Sequence, residues 1–111
     1  MIKVHISPEA ARDLEETRRY IAVELKNPAA AKRTVRAVIH DLHTLEHFPE
    51  AGPSIASRTG YETDLRFFVC GSRLALYKIE NGAVYVARVL DPRQDYLRVL
   101  FGDDFWEHTE N

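Results

Sequence analysis

Six residues in the second half of this 111-residue chain carry the groups best suited to hold an anion: Arg66, Arg73, Arg88, Arg93, Tyr96 and Arg98. Guanidinium groups bind phosphate and carboxylate through paired N–H donors and stay charged at physiological pH. Gathered on one surface, they would contact a phosphate backbone or an acidic partner. The competing reading is that each arginine answers a carboxylate nearby, for which Asp64, Glu80, Asp91 and Asp95 are available.

A second set is His40, His43 and His47, whose i, i+3, i+7 spacing can bring imidazoles onto one metal ion. The string "HTLEH" differs from the metalloprotease helix pattern because its glutamate stands fourth instead of second. These histidines also fall outside the apolar stripe of their helix, so a solvated face is the plainer reading and metal binding a minor hypothesis. Cys70, the only cysteine, sits in the apolar run "FFVCG" and reads as a buried thiol; no intrachain disulfide can form. No Walker loop, dinucleotide fingerprint or nucleophile elbow is present, and no cofactor is expected.

The elements that must position these residues follow from period and punctuation. "MIKVHIS" alternates Ile2, Val4 and Ile6 with Lys3 and His5, the pattern of a half-buried strand. Ser7 and Pro8 then supply an N-cap and a first helical residue, and Leu14, Thr17 or Arg18, Ile21 and Leu25 recur at helical spacing. Asn27 and Pro28 repeat that opening for a second helix, whose stripe of Ala31, Val35, Val38, Leu42 and Leu45 runs to Pro49. With almost no linker between them, the two helices predict an antiparallel hairpin lying on one side of a sheet. Residues 49–63 read as a loop from their Gly, Pro and Ser content.

Three strands follow as a meander. Asn81-Gly82 is the signature of a type I′ turn, which pairs Tyr77 with Val86, Ala75 with Arg88 and Arg73 with Leu90. Gly71-Ser72 as a type II′ turn pairs Cys70 with Arg73 and Arg66 with Tyr77. On that register Leu65, Phe67, Val69, Leu74, Leu76, Tyr85, Ala87 and Val89 face the helices. Arg66, Phe68, Arg73, Tyr77, Val86 and Arg88 share the other face, with Arg73 and Arg88 diagonal neighbours roughly 7–8 Å apart. A face so mixed should be covered by the C-terminal segment, a partner, or both. Pro92 ends the last strand, and Leu97, Val99, Leu100 and Phe101 supply apolar groups for a short C-terminal helical segment.

Length and composition bound the answer to one domain, residues 1–111, of an ordinary globular kind. The net charge of −2 hides an asymmetry: residues 1–57 balance, residues 58–102 carry two excess positive charges, and residues 103–111 add four negative ones. A nucleic-acid binder relying on net charge would look different, so any anion site is local. No secretory signal or membrane span is apparent, and the chain is expected to be cytoplasmic with no membrane partner. The acidic tail, residues 103–111, either frays or docks through Phe105 and Trp106.

The α+β order of N-terminal strand, two-helix hairpin, three-stranded antiparallel meander and C-terminal segment resembles the RelE/ParE superfamily of type II toxin–antitoxin toxins, and more closely its ParE-like branch. The resemblance rests on "ISPEAARDLEETRRYIAVE", "NPAAAKR", "LHTLEHFPEAGPSI" and "LRFFVCGSRLALYKIENGAVYVARVLDPRQDY" and covers about residues 2–101. It implies a toxin held inactive in a hetero-oligomer with a cognate, ParD-like antitoxin. ParE-like members are associated with inhibition of DNA gyrase, and RelE-like members cleave messenger RNA on the ribosome. For the nuclease reading, Arg73 matches a phosphate-holding arginine and Tyr96 a C-terminal tyrosine. Attack by a 2′-hydroxyl also needs a general base and a group to protonate the leaving oxygen. Residues 49–63 hold no lysine, and Asp91 stands where several members carry histidine, leaving Glu50 or Glu62 as a substitute base. Gyrase inhibition is therefore the favoured expectation, an mRNA endonuclease the alternative, and a non-toxic interaction module a third class; a weakened toxin is compatible with Asp91.

Overall fold

A computed structural model describes residues 1–60 and 62–93. The expected C-terminal helical segment and acidic tail lie outside the described residues, as do Tyr96 and Arg98. In chain order the elements are β1 (Val4–Ile6), α1 (Pro8–Arg19), α2 (Pro28–His43), α3 (Ile55–Thr59), β2 (Arg66–Cys70), β3 (Arg73–Glu80) and β4 (Ala83–Leu90). The strands form one sheet of order β1-β4-β3-β2, with β1 parallel to β4 and the other pairs antiparallel. This is the α+β arrangement expected from the sequence.

Both long helices begin as their punctuation dictates. Ser7 Oγ accepts a hydrogen bond from Ala10 N at 3.0 Å, and Asn27 Oδ1 accepts one from Ala30 N at 3.1 Å. Each cap satisfies a donor that the first turn leaves without an intrahelical partner. After Arg19 the first helix widens into a π turn, Tyr20–Glu24, where Leu25 N donates to Tyr20 O. Lys26, with φ of 52°, then reverses the chain into α2. A 3₁₀ turn, Thr44–Glu46, ends the second helix. Among the described residues, no helix is long and apolar enough to cross a membrane.

The two turns of the meander also form as expected. Asn81 and Gly82 both have positive φ, as a type I′ turn requires, and Gly71 has φ of 57° at the β2–β3 turn. Arg66 lies opposite Tyr77 and Cys70 opposite Arg73, as the sequence indicates.

Beyond Tyr77 the register departs from the simple hairpin. Tyr77 pairs with Val86, but Leu76 pairs with Arg88 and Ala75 with Val89, so Ala87 is an extra residue on β4. This β-bulge moves the rest of β4 by one position and exchanges its faces. The carbonyl of Ala87 accepts a hydrogen bond from Ser7 Oγ at 2.8 Å, so the residue that caps α1 also serves the bulge. Arg88 is thereby out of phase with Arg66 and Arg73, correcting the expectation that all three share a face.

The faces themselves are exchanged relative to expectation. The helices pack through Ala10, Leu14, Val38, Leu42 and Leu45 onto Cys70, Ala75, Tyr77, Val84, Val86 and Val89. Tyr77 and Val86, assigned above to an arginine-bearing outer face, are thus fully buried. The opposite face holds Leu74, Leu76 and Leu90 with Leu65 and Phe67, and Ile55 of α3 covers them. The segment read as a loop therefore contains a helix, capped by Ser54 at its start and by Gly60 in the left-handed conformation at its end. Arg58 of α3 adds a guanidinium 5.7 Å from the centre of the Phe67 ring.

Candidate functional site

A cleft of about 420 Å³ opens where the end of α1 meets the start of β3 and the exit of β4. Asp13, Glu16, Thr17 and Tyr20 line it from the helix, and Arg73, Arg88, Val89, Leu90, Asp91 and Arg93 from the sheet. Three of the six residues singled out from the sequence, Arg73, Arg88 and Arg93, therefore meet in one place. Arg66 does not join them: at the far end of β2, its Nη1 donates to Gly52 O at 2.8 Å.

The arginines of the cleft are held by carboxylates. Asp13, buried in the apolar stripe of α1, accepts from Arg88 Nε at 2.8 Å and from Arg88 Nη2 at 2.9 Å. It also accepts from Val89 N at 2.9 Å. The bidentate bond to Asp13 raises the Arg88 guanidinium pKa further above its usual value. By register the bulge puts Arg88 out of phase with the helix-facing residues, yet its side chain meets Asp13 of α1.

Asp91 holds the other two. Its Oδ1 accepts from Arg93 N at 2.9 Å and Arg93 Nε at 3.1 Å, and its Oδ2 lies 2.8 Å from Arg93 Nη2 and 3.2 Å from Arg73 Nη1. The Arg93 side chain, its backbone N–H and the positive charge of Arg73 hold the Asp91 carboxyl well below the ordinary carboxylate range. Arg73 Nε is buried and finds no hydrogen-bond partner among the described residues.

A depressed folded pKa fixes the sign of a pH effect. Ionised Asp91 contributes stability above the ordinary carboxylate range and loses it as pH falls through the depressed value. Urea unfolding of wild type and Asp91→Asn should thus differ near neutrality, with the wild type more stable, and converge in strongly acid solution. A difference that persists unchanged into acid would contradict the pairing.

Elsewhere the polar groups serve the scaffold. Tyr77 Oη donates to Pro49 O at 2.7 Å and accepts from Gly52 N at 2.9 Å, tying the loop before α3 to the sheet. Burial raises the Tyr77 phenol pKa, opposed by the Gly52 N–H. Asp41 of α2 accepts from Gly71 N at 2.6 Å at the β2–β3 turn. Cys70 is fully buried, and burial, with the nearby Asp41 charge, pushes its thiol up to about 12. Because the thiolate is the reactive form, native protein at pH 8 should resist a thiol reagent and react promptly once unfolded in urea. Stoichiometric labelling of the folded chain on the time scale of the unfolded one would contradict this placement.

His40 lies beside Asp41 and His43 beside Glu46 on the exposed side of the second helix, while the His47 ring is tilted against that of Phe48, with centroids 6.5 Å apart. Among the described residues no three His, Cys, Asp or Glu side chains stand close enough to hold a metal ion. Glu50 belongs to a separate surface hollow with His47 and Phe48, and neither it nor Glu62 lines the cleft. Sequence reasoning missed Asp13 and Tyr20. Asp13 was visible as an acid inside the stripe Ala10, Leu14, Thr17, an anomaly that a buried partner explains.

The architecture matches a solved structure described as "Chromosomal ParDE TA system from P. aeruginosa" with a TM-score of 0.69 and 17% identity. The match covers 82% of this chain and 96% of that one, and at this identity it speaks to the fold. No curated protein sequence matches significantly. The family model for the ParE toxin of the type II toxin–antitoxin system parDE matches residues 4–96. By that match over most of its length, the chain belongs to the ParE toxin family of type II toxin–antitoxin systems.

Proposed function

We propose that this toxin inhibits DNA gyrase, acts in the cytoplasm, and is neutralised by a ParD-like antitoxin encoded beside it. Family membership over residues 4–96 supports the toxin role. The observation that carries the choice of target is the chemistry of the cleft. Its described lining contains neither histidine nor lysine, and Asp91 already occupies an N–H edge of Arg73. Cleavage of RNA by its 2′-hydroxyl requires proton transfer at both the attacking and leaving oxygens and a cation free to take the phosphate. A fixed carboxylate opposes that phosphate. Recognition of a protein surface needs no such equipment, and the cleft's mixed charges suit it.

The antitoxin has a natural seat along the helix hairpin. Tyr20, Val23, Leu25 and Ile39 are exposed there, and an amphipathic segment that orders on binding would cover them. The test is expression from a tightly repressed promoter. Growth should stop, co-expression of the neighbouring antitoxin should restore it and copurify with the toxin, and transcripts should stay intact. Prompt translation-dependent cleavage of transcripts would instead establish the nuclease, and unimpaired growth with abundant folded protein would indicate an interaction module.

A further inference from the structure

We propose that Asp91 is a specificity-determining residue: its carboxylate fills an anion site built by Arg73 and Arg93, and so excludes phosphate from the cleft. The inference deepens the choice of target made above, which rests on the same Asp91–Arg73 contact, and its test uses the isolated chain, so that its failure and the failure of the gyrase reading are distinguishable.

The site has the parts that recognise a phosphate. Two guanidinium groups converge on one carboxylate oxygen, Asp91 Oδ2, at 2.8 and 3.2 Å, and the backbone N–H of Arg93 supplies a third donor to Oδ1. Carboxylate and phosphate oxygens accept from guanidinium in the same forked geometry, so the Asp91 carboxylate stands where an anionic ligand's oxygens would stand. The buried Nε of Arg73 adds a donor that the internal carboxylate leaves unused. Arg73 lines the cleft, with a side-chain exposure of 15%.

Arg88 does not compete for the same ligand. Its fork is spent on Asp13, which is tied in turn to Val89 N, so the neighbouring pair is fixed by the packing of α1. Asp91 is different. It lies just past the end of β4, and among the described residues its oxygens serve only Arg73 and Arg93. Among the described residues, removing its charge therefore leaves the Arg73 and Arg93 cations close together without an internal anion. The chemistry that would answer them is a phosphate oxygen. With Asp91 in place, an incoming phosphate meets a like charge at hydrogen-bond range, and such juxtaposition disfavours the wrong ligand.

The experiment titrates the purified full chain, free of antitoxin, with inorganic phosphate and follows the Arg93 backbone N–H and Nε–H resonances, which every variant retains, in nitrogen-15 spectra. Asp91→Asn keeps the shape of the side chain and removes its charge. It is expected to bind phosphate about tenfold more tightly than wild type, or better, and to weaken as salt rises. The gain should vanish when Arg73→Gln is added to Asp91→Asn. Equal affinity in wild type and Asp91→Asn would overturn the proposal. So would a gain that survives Arg73→Gln, since the anion would then sit elsewhere. Asp91→Ala is read by the same criteria should Asp91→Asn fail to fold, and failure of both to fold would overturn the proposal by making the carboxylate a structural group.

Discussion

Asp13→Ala should lower the stability of the fold by about 3 kcal/mol, the sum expected from losing a charge-assisted pair and stranding a buried backbone donor. The donor is Val89 N, which has Asp13 Oδ2 as its partner at 2.9 Å, and Val89 is 2% exposed. Arg88, with 29% side-chain exposure, can turn its freed guanidinium to water, which keeps the loss from growing larger. For a domain of this size the melting temperature should fall by roughly 10–20 °C. Arg88→Ala leaves Val89 N satisfied but strands the Asp13 carboxylate, 9% exposed, without its counter-ion, so it should cost about as much as Asp13→Ala. The double variant should show coupling of about 1.5–3 kcal/mol between the two residues, the range of a hydrogen bond to a charged group. Thermal or urea unfolding of the four proteins measures this directly. Additive losses, or an Asp13→Ala variant as stable as wild type, would mean that the bond does not fix α1 to the bulged end of β4. Because this bond builds one wall of the cleft, weakened toxicity should accompany the lost stability.

Gly52→Ala is expected to be the second severe substitution, costing about 3 kcal/mol, at the upper end of overpacking effects. A Cβ at that position would stand 2.2 Å from Phe67 O, and 2.9 Å from both Phe67 C and a ring carbon of Tyr77. The obstacle is backbone of a sheet strand, which cannot step aside as a flexible side chain can. Moving the loop instead breaks the bonds from Gly52 N to Tyr77 Oη and from Arg66 Nη1 to Gly52 O. Tyr77→Phe offers the comparison, since it removes only the hydroxyl and its two hydrogen bonds, at about 1–3 kcal/mol. Gly60→Ala tests a different penalty: a Cβ there meets nothing within 4 Å, and only the φ of 76° resists it. Urea midpoints should rank Gly52→Ala as the most damaging of the three. A Gly52→Ala midpoint near that of wild type would contradict the close approach.

Local grammar made much of the fold legible. Ser7-Pro8 and Asn27-Pro28 opened helices where expected, and Asn81-Gly82 and Gly71-Ser72 set the register of the strands nearest their turns. What was not legible depends on long-range partners. The bulge at Ala87 lies inside "AVYVARVL", which has no glycine or proline to announce it; Ser7, eighty residues earlier, accepts the displaced role by bonding its carbonyl. The faces could not be told apart because both are covered, one by the helix hairpin and the other by Ile55 of α3. Alternation distinguishes an apolar face from a wet one, not one buried face from another. Val89 came out facing the helices as expected only because the bulge and the exchanged faces offset each other. In the cleft, residue types pointed to Arg73, Arg88 and Arg93, but the carboxylates that hold them had to be found in space. Asp91 was in view as a neighbour in sequence, whereas Asp13 is 75 residues from Arg88.

The same carboxylates give the functional reading its content. On the proposed reading, a cleft whose arginines are answered by Asp13 and Asp91 suits recognition of a protein surface better than reaction with a phosphate. The most direct measurement incubates purified, antitoxin-free toxin with bacterial gyrase, ATP and plasmid, digests the protein, and looks at the DNA. Linear plasmid that depends on both gyrase and toxin is the expected result, the mark of an inhibitor that traps the enzyme with its DNA cut. Undisturbed supercoiling by a folded sample would contradict gyrase as the target.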